Sequence, residues 1–163
     1  MNMKNLQTFD EFLTEAKKIE QNPTTSVVYH TSRVPLRNLS NTPMWFAVDP
    51  KDADWYFKNM ADEGGSFLYK AEAKGKLLTI KDAKKLFKKS GMDWDEWTAD
   101  IVSNPTAETV DSLDGTRLIK GQGYDGVYHE DYNPADYQKD TVVLLIFDPK
   151  KTIKGVTLQK SNK

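Results

Sequence analysis

The first residue that could take part in ligand binding or catalysis is a histidine near the end of a β-prone segment. Residues 26–30 (SVVYH) predict a strand, and the polar residues 31–33 follow directly. An imidazole at the end of a strand can offer a ring nitrogen to a hydroxyl group of a ligand. A lone histidine is also common as a structural residue with internal hydrogen bonds, so His30 alone leaves both interpretations open.

Two aromatic residues that lie eleven positions apart form the second feature. Trp45 belongs to a predicted strand, PMWFAV, and Tyr56 to a helix predicted to begin at Pro50 and to run up to Gly64. Two rings brought face to face can clamp a flat heterocycle such as nicotinamide. Because side chains alternate along a strand, only one of Trp45 and Phe46 can face such a cleft. The alternative is that these aromatic residues are ordinary core.

The helix face that carries Tyr56 must turn toward the end of this strand for the two rings to meet. That face carries three further residues: Asp52, Asn59 and Met60. The neighbouring rings of Trp55 and Phe57 are predicted to point elsewhere, mainly into packing.

A third polar group precedes the apolar run of residues 141–147. It has the sequence Tyr-Gln-Lys-Asp and ends at Asp140. A carboxylate at this position could accept a hydrogen bond from a ribose hydroxyl and stabilise positive charge developing at the anomeric carbon. An acidic residue before a strand is also commonly a surface residue, so both interpretations stay open.

Taken together, these segments resemble the ADP-ribosyltransferase superfamily, in particular its histidine-tyrosine-glutamate branch, which includes the diphtheria-type toxins and the poly-ADP-ribose polymerases. His30-Thr31-Ser32-Arg33 is similar to the polymerase segment His-Gly-Ser-Arg. MWFAVDPKDADWY is similar to the segment YFAD…A.Y, with the same spacing between the two aromatic residues. GYDGVYH and the later apolar strand ending in FDP are similar to the C-terminal half of many phage and bacterial members. The resemblance covers about residues 26 to 154.

The resemblance implies an enzyme that uses NAD as its substrate and transfers ADP-ribose while nicotinamide leaves. It implies that His30 hydrogen-bonds a hydroxyl of the adenosine ribose and that the Thr31 backbone holds the carboxamide. Trp45 and Tyr56 are implied to enclose the nicotinamide ring. Arg33 is implied as a partner of the pyrophosphate, since a guanidinium can bridge two phosphate oxygens. The acceptor could be a protein side chain, a nucleic-acid group or water.

Two residues of the NAD-binding pattern differ from the family. Trp45 replaces the usual tyrosine, which keeps a stacking surface but loses the phenolic hydroxyl. Thr31 replaces the usual glycine, which keeps the backbone groups but adds a Cβ.

The catalytic element also differs, because no glutamate stands at the start of the last apolar strand. Gln138-Lys139-Asp140 resembles the family's Gln-x-Glu element with aspartate substituted. The resemblance therefore implies that Asp140 is the catalytic acid and that Gln138 orients the acceptor. Glu130 and Asp136 are alternatives for the acid.

The remaining patterns predict an α+β domain, and the resemblance implies that its core is an ADP-ribosyltransferase-like split β-sheet with flanking helices. Strands are predicted at residues 66–73, 123–129 and 141–148, with an edge strand in the tail from residue 150. Helices are predicted at residues 78–90 and 92–103 and from Pro105 toward Lys120. Residues 131–140 are predicted to be a loop. No Gly-rich phosphate loop joins a strand to a helix, which argues against a Rossmann domain.

Composition limits the classes of function. The 163 residues carry 23 basic and 24 acidic side chains, a net charge of -1, so nucleic acid is not an expected partner. The lysine-rich helix at residues 81–89 is interpreted as an ordinary solvated face. The absence of cysteine excludes thiolate chemistry, and two histidines make a metal site an unexpected feature. No run of residues is apolar enough to predict a membrane span.

Residues 1–22 are predicted to be an N-terminal helical leader, separate from an ADP-ribosyltransferase-like domain at residues 23–163. LQTFDEFLTEA resembles the head-targeting leader of internal proteins in T4-like phages, with a processing site at Leu13-Thr14-Glu15 and cleavage before Ala16. The resemblance implies a protein carried in the phage head and delivered to the host cytoplasm, where it acts on a host macromolecule. The alternative is an amphipathic helix that packs on its own cytoplasmic domain.

Two functions remain as alternatives to the enzyme. One is a catalytically inactive ADP-ribosyltransferase fold that binds a host or phage protein. The other is a structural internal head protein.

Overall fold

A computed structural model describes residues 24–60 and 66–162 of the chain. The predicted leader, its processing site and the end of the helix predicted to run to Gly64 lie outside the described residues. The strands are β1 (Thr24–Ser32), β2 (Met44–Ala47), β3 (Phe67–Gly75), β4 (Leu77–Leu78), β5 (Gly126–Asn133), β6 (Asp136–Ile146) and β7 (Ile153–Ser161). The helices are α1 (Pro50–Met60), α2 (Ile80–Lys89), α3 (Trp94–Ser103), α4 (Ala107–Ser112), α5 (Asp114–Gly121) and α6 (Pro149–Thr152).

The strands form one mixed sheet in the order β4-β5-β6-β2-β1-β3-β7. All neighbouring strands are antiparallel except β4 and β5, which are parallel. The prediction of an α+β domain is confirmed at this level. The predicted edge strand in the tail is also confirmed, since β7 lies at the edge beside β3.

The middle of the sheet holds its weakest strand pairing, which we call the β1–β2 junction. β1 and β2 pair at one position, Tyr29 opposite Ala47. By contrast, every residue of β1 pairs with β3, and every residue of β2 pairs with β6. The junction therefore leaves the two strands free to diverge on either side of this pair.

Two hydrophobic clusters cover opposite faces of the sheet. On one face, α2 and α3 bring together Phe87, Trp94 and Trp97, whose ring centroids lie 5.2 to 5.5 Å apart. On the other face, Phe46 packs with Val28, Leu144 and Ile146, among others. Trp45 packs against the first cluster instead. The two side chains therefore pack against different clusters, as the alternation predicts, although Phe46 as well as Trp45 lines the cavity described below.

The prediction of a loop at residues 131–140 is wrong. β5 continues to Asn133 and β6 begins at Asp136, so the segment forms the end of a β-hairpin. The Asn133 side chain accepts a hydrogen bond from the Ala135 amide at 3.0 Å, which stabilises the tight turn. The register is irregular beyond Tyr132, which pairs with Asp140.

The single helix predicted between Pro105 and Lys120 is also wrong, because two helices occupy this region. Leu113 adopts an extended conformation between α4 and α5, with φ -87 and ψ 138. Two residues later, Gly115 lies so close to the rings of Trp97 and Phe87 that a Cβ would come within 2.6 to 2.9 Å of them. The break lets the chain turn so that α5 packs its backbone against these rings.

Within residues 24–60 and 66–162, no helix combines the length and the apolar character needed to cross a membrane.

Candidate functional site

A cavity of about 270 Å³ opens beside the β1–β2 junction. It is bordered by β1, β2, α1, the end of α3 and the hairpin of β5 and β6. Four of the predicted NAD-binding residues line it: His30, Thr31, Trp45 and Tyr56. Residues from three separate elements, which the sequence analysis assigned to one ligand, thus meet at one cavity.

The start of α1 fixes the orientation of the helix residues that reach the cavity. Asp49 caps the helix, since its carboxylate accepts a hydrogen bond from the Lys51 amide at 2.9 Å, and Pro50 is the first helical residue. Asp52 and Tyr56 lie one turn apart on the same face, and both line the cavity. The predicted orientation is therefore confirmed for Asp52 and Tyr56, whereas Asn59 is exposed and does not line the cavity.

Trp45 is held from two sides by the two histidines of the chain. Its carbonyl oxygen accepts a hydrogen bond from Nδ1 of His30 at 3.0 Å. Its indole N–H donates to Nε2 of His129 at 3.1 Å. His129 in turn donates from Nδ1 to the carbonyl of Glu130 at 3.1 Å. These contacts fix both the backbone and the ring of Trp45 at the cavity wall.

Both histidines are held in the neutral form. Burial lowers the pKa of His30 below 6.5, against a smaller opposing effect of the hydrogen bond to the Trp45 carbonyl. Burial likewise lowers the pKa of His129, opposed by the hydrogen bond to Glu130 and the charge of Asp131. A neutral His30 with its proton on Nδ1 offers Nε2 as an acceptor for a ligand hydroxyl.

A buried carboxylate borders the cavity. Asp52 is only 5% exposed, and its Oδ2 accepts a hydrogen bond from the Thr141 hydroxyl at 2.5 Å. Asp131 of the hairpin lines the cavity as well. Neither lysine nor arginine is found among the described residues that line it, so its charged groups are acidic.

A metal centre receives no support from this arrangement. Among the described residues, no group of three or more histidine, aspartate and glutamate side chains is arranged to hold a metal ion.

Thr31 and Arg33, the other two predicted NAD contacts on this segment, differ in their relation to the cavity, since Thr31 lines it and Arg33 does not. The Thr31 hydroxyl donates to the Ala53 carbonyl at 2.9 Å, which connects β1 to α1. Arg33 is exposed just beyond the end of β1 and does not belong to the cavity lining.

The predicted catalytic residues are not brought into the cavity. Asp140 is exposed and lies outside the lining, although its neighbour Thr141 and its cross-strand partner Tyr132 belong to it. Gln138 is exposed in the irregular part of the hairpin. The two alternative acids, Glu130 and Asp136, are exposed and also lie outside the lining.

An open groove of about 510 Å³ adjoins the cavity and shares Tyr56, Asp131 and Tyr132 with it. Trp55 and Asp100 also line this groove. Trp55 is only half buried, and its ring meets that of Tyr56 edge to face at 5.3 Å. The prediction that Trp55 points into packing is therefore wrong, whereas Phe57, 7% exposed, is core.

No family model, curated protein or solved structure matches this chain. Its function therefore has to be inferred from the chemistry of the cavity.

The sequence analysis assigned no chemical role to four polar residues that line the cavity: Asp52, His129, Asp131 and Thr141. Asp52 was recognised as sharing the face of Tyr56, and that shared face was the available signal. His129 stands in the GYDGVYH segment as the second of only two histidines. Thr141 could have been found from the alternation of side chains along the last apolar strand.

Proposed function

We propose that this chain binds NAD in the cavity and cleaves the bond between nicotinamide and ribose, transferring ADP-ribose to an acceptor. The observation that carries the proposal is the convergence of His30, Trp45 and Tyr56 on one cavity. These residues were selected from the sequence by their order and spacing. Their convergence supports the resemblance to ADP-ribosyltransferases, as does a cleft beside a sparsely paired junction of the sheet.

The charge of the cavity supports NAD as the ligand. The nicotinamide ring of NAD carries a positive charge, and aromatic faces attract flat cationic groups. Trp45 and Tyr56 offer such faces, while Asp52 and Asp131 supply negative charge. The cavity therefore favours a flat, cationic ring over an anionic or bulky ligand.

The size of the site is compatible with part of the dinucleotide. Ligand pockets commonly measure about 300–1,000 Å³, and this cavity of about 270 Å³ is suited to the nicotinamide ring and its ribose. The adenosine half then extends along His30 toward Arg33, whose guanidinium is suited to the pyrophosphate. Asp100 and Asp131 disfavour phosphates in the adjoining groove.

The groove is the route by which an acceptor approaches. It is continuous with the cavity at Tyr56 and carries acidic and aromatic side chains. Because phosphate groups are repelled by the two aspartates, a protein side chain or water is a better acceptor here than nucleic acid.

Calorimetric titration with NAD and chromatographic measurement of released nicotinamide test the proposal. We expect the wild type to bind NAD and release nicotinamide, and to label proteins of a host extract with biotinylated NAD. Trp45→Ala and Tyr56→Ala should weaken binding, whereas Leu158→Ala, on the exposed edge strand β7, should bind as the wild type does. A folded wild type that does not bind NAD would contradict the proposal.

A second candidate is an inactive ADP-ribosyltransferase fold that binds a protein. It is favoured by one observation, namely that Asp140 and Gln138 lie outside the cavity lining. NAD binding without release of nicotinamide, together with a stable partner in a pull-down, would support it over the enzyme.

Delivery from a phage head is part of the same proposal. The support for delivery from a phage head is the amino-acid sequence of the leader alone. Mass spectrometry of the chain recovered from virions would test it, because processing at Leu13-Thr14-Glu15 leaves Ala16 as the first residue.

A further inference from the structure

We infer that Asp52 is the catalytic carboxylate of this cavity and that Thr141 is the residue that positions it. The inference rests on the proposed cleavage of NAD. It gives to Asp52 the catalytic role that the sequence analysis gave to Asp140. The first observation is that the Asp52 carboxyl group is buried although helix α1 does not need it for capping.

Asp52 is not needed to cap α1. Asp49 performs that role: its carboxylate binds the Lys51 amide, and its carbonyl oxygen accepts from the Asp52 amide at 3.1 Å. An acidic residue in the first turn of a helix can interact with the helix dipole while remaining exposed to water. Asp52 is instead 5% exposed at the wall of the cavity.

Asp54, two residues later on the same helix, provides a comparison because its carboxylate is paired with cations. It lies 2.8 Å from the Nζ atoms of both Lys58 and Lys160. Asp52 takes part in none of the salt bridges of the described residues. Burial of a carboxylate without a cation is costly, and a cationic ligand in the cavity supplies the missing charge.

Thr141 holds this carboxylate in a fixed orientation. Its hydroxyl donates to Oδ2 of Asp52 at 2.5 Å from a position 89 residues later in the chain. Threonine is branched at Cβ and has few side-chain rotamers, and β6 fixes its backbone opposite Asp131. The carboxylate is thereby held before any ligand binds, as electrostatic stabilisation of a transition state requires.

The reaction needs no oxidant or reductant. The bond between C1′ of the ribose and the nicotinamide nitrogen breaks, and its electron pair leaves with nicotinamide, which becomes neutral. The positive charge passes to the ribose, where the Asp52 carboxylate stabilises it. A lone pair of the acceptor then forms the new bond to C1′, and the proton of the acceptor passes to Asp52 and on to solvent.

Asp52→Asn removes the charge while keeping the shape and an oxygen for the Thr141 hydroxyl. We expect the rate of nicotinamide release to fall by about 100-fold or more, the effect of losing one preorganised electrostatic contact. Asp54→Asn is the matched control on the same helix and should release nicotinamide at nearly the wild-type rate. Thermal unfolding of each variant gives the folded fraction to which rates are normalised.

A binding comparison provides a second readout that a purely structural role would not change. Calorimetry with the cation 1-methylnicotinamide and with neutral nicotinamide should show that the wild type prefers the cation. Asp52→Asn should lose this preference while still binding the neutral ring.

The failure of this inference is distinguishable from failure of the proposed function. If the wild type releases nicotinamide from NAD and Asp52→Asn does so at an unchanged rate per folded molecule, Asp52 is not catalytic and the proposed function stands. An unchanged preference for the cation in Asp52→Asn also overturns the inference. If the wild type does not bind NAD, the proposed function fails, and the catalytic role of Asp52 fails with it.

Discussion

The indole N–H of Trp45 donates a hydrogen bond to Nε2 of His129, although 84 positions separate the two residues in the chain. The contact joins β2 to β5 across the intervening strand β6. It requires His129 to be neutral, because a protonated Nε2 cannot accept a hydrogen bond. The orientation of one wall of the cavity therefore depends on the protonation state of a buried histidine.

His129→Leu should weaken NAD binding because the indole N–H loses its acceptor and the ring loses its fixed orientation. The buried donor left without a partner should also lower the free energy of unfolding by about 1–3 kcal/mol. His129→Gln keeps an acceptor oxygen, so its NAD affinity and its free energy of unfolding should both fall less than those of His129→Leu. Calorimetry and urea denaturation measure the two effects, and equal NAD affinity for His129→Leu and the wild type would contradict a positioning role.

The stability of the fold should depend on pH between the lowered pKa values of the two histidines and 6.5. Burial lowers the pKa of both His30 and His129 in the folded state, so within this interval the unfolded chain binds more protons than the folded one. The free energy of unfolding should therefore be constant above pH 6.5 and fall as the pH decreases, by up to about 1.4 kcal/mol per pH unit for each histidine.

Urea denaturation at a series of pH values measures this dependence. His129→Gln should show roughly half the slope, since one of the two buried titrating groups is removed. A free energy of unfolding that stays constant below pH 6.5 would show that neither histidine is held neutral by burial.

Tyr56→Ala should weaken NAD binding by roughly 1–3 kcal/mol, the scale of losing one stacking ring. Tyr56 is 41% exposed, so its loss should change the free energy of unfolding little. Phe57→Ala is the matched control: this ring is 7% exposed in a core cluster with Ala53 and Leu68, and its removal should cost about 3–5 kcal/mol of stability. If Tyr56→Ala unfolds the protein and leaves NAD affinity per folded molecule unchanged, Tyr56 is core.

Asp140→Ala should release nicotinamide from NAD at nearly the wild-type rate. Its side chain is exposed and lies outside the lining of the cavity. Parallel assays of Asp140→Ala and Asp52→Asn compare the two candidate acids directly. A large loss of rate in Asp140→Ala alone would support the acid implied by the family resemblance instead of Asp52.

The elements that position the cavity could be predicted because each carries a strong local signal. Pro50 follows a capping aspartate, and the alternation of Trp45 and Phe46 fixes which of them joins the core on the far face. The spacing of Asp52 and Tyr56 by one helical turn was sufficient to put both on the cavity side. Local periodicity thus predicted α1, β2 and the face of α1.

The hydrogen bond that Asp52 accepts from Thr141 could not be predicted, because it depends on pairings between residues that are distant in the chain. The turn after Asn133 is stabilised by a side-chain hydrogen bond, and without it residues 131–140 resemble an ordinary polar loop. Only the register of the hairpin decides that Thr141, and not Asp140, faces Asp52. Likewise, the half-buried state of Trp55 depends on the groove formed by α3 and the hairpin.

The single residue pair at the β1–β2 junction divides the sheet into two units that are each internally well paired. β4, β5, β6 and β2 form one unit, and β1, β3 and β7 form the other. Residues of β1, β2 and α1 all line the cavity, so a ligand bound there would add a lateral connection that the backbone lacks. We therefore expect ligand binding to strengthen the connection between the two units of the sheet.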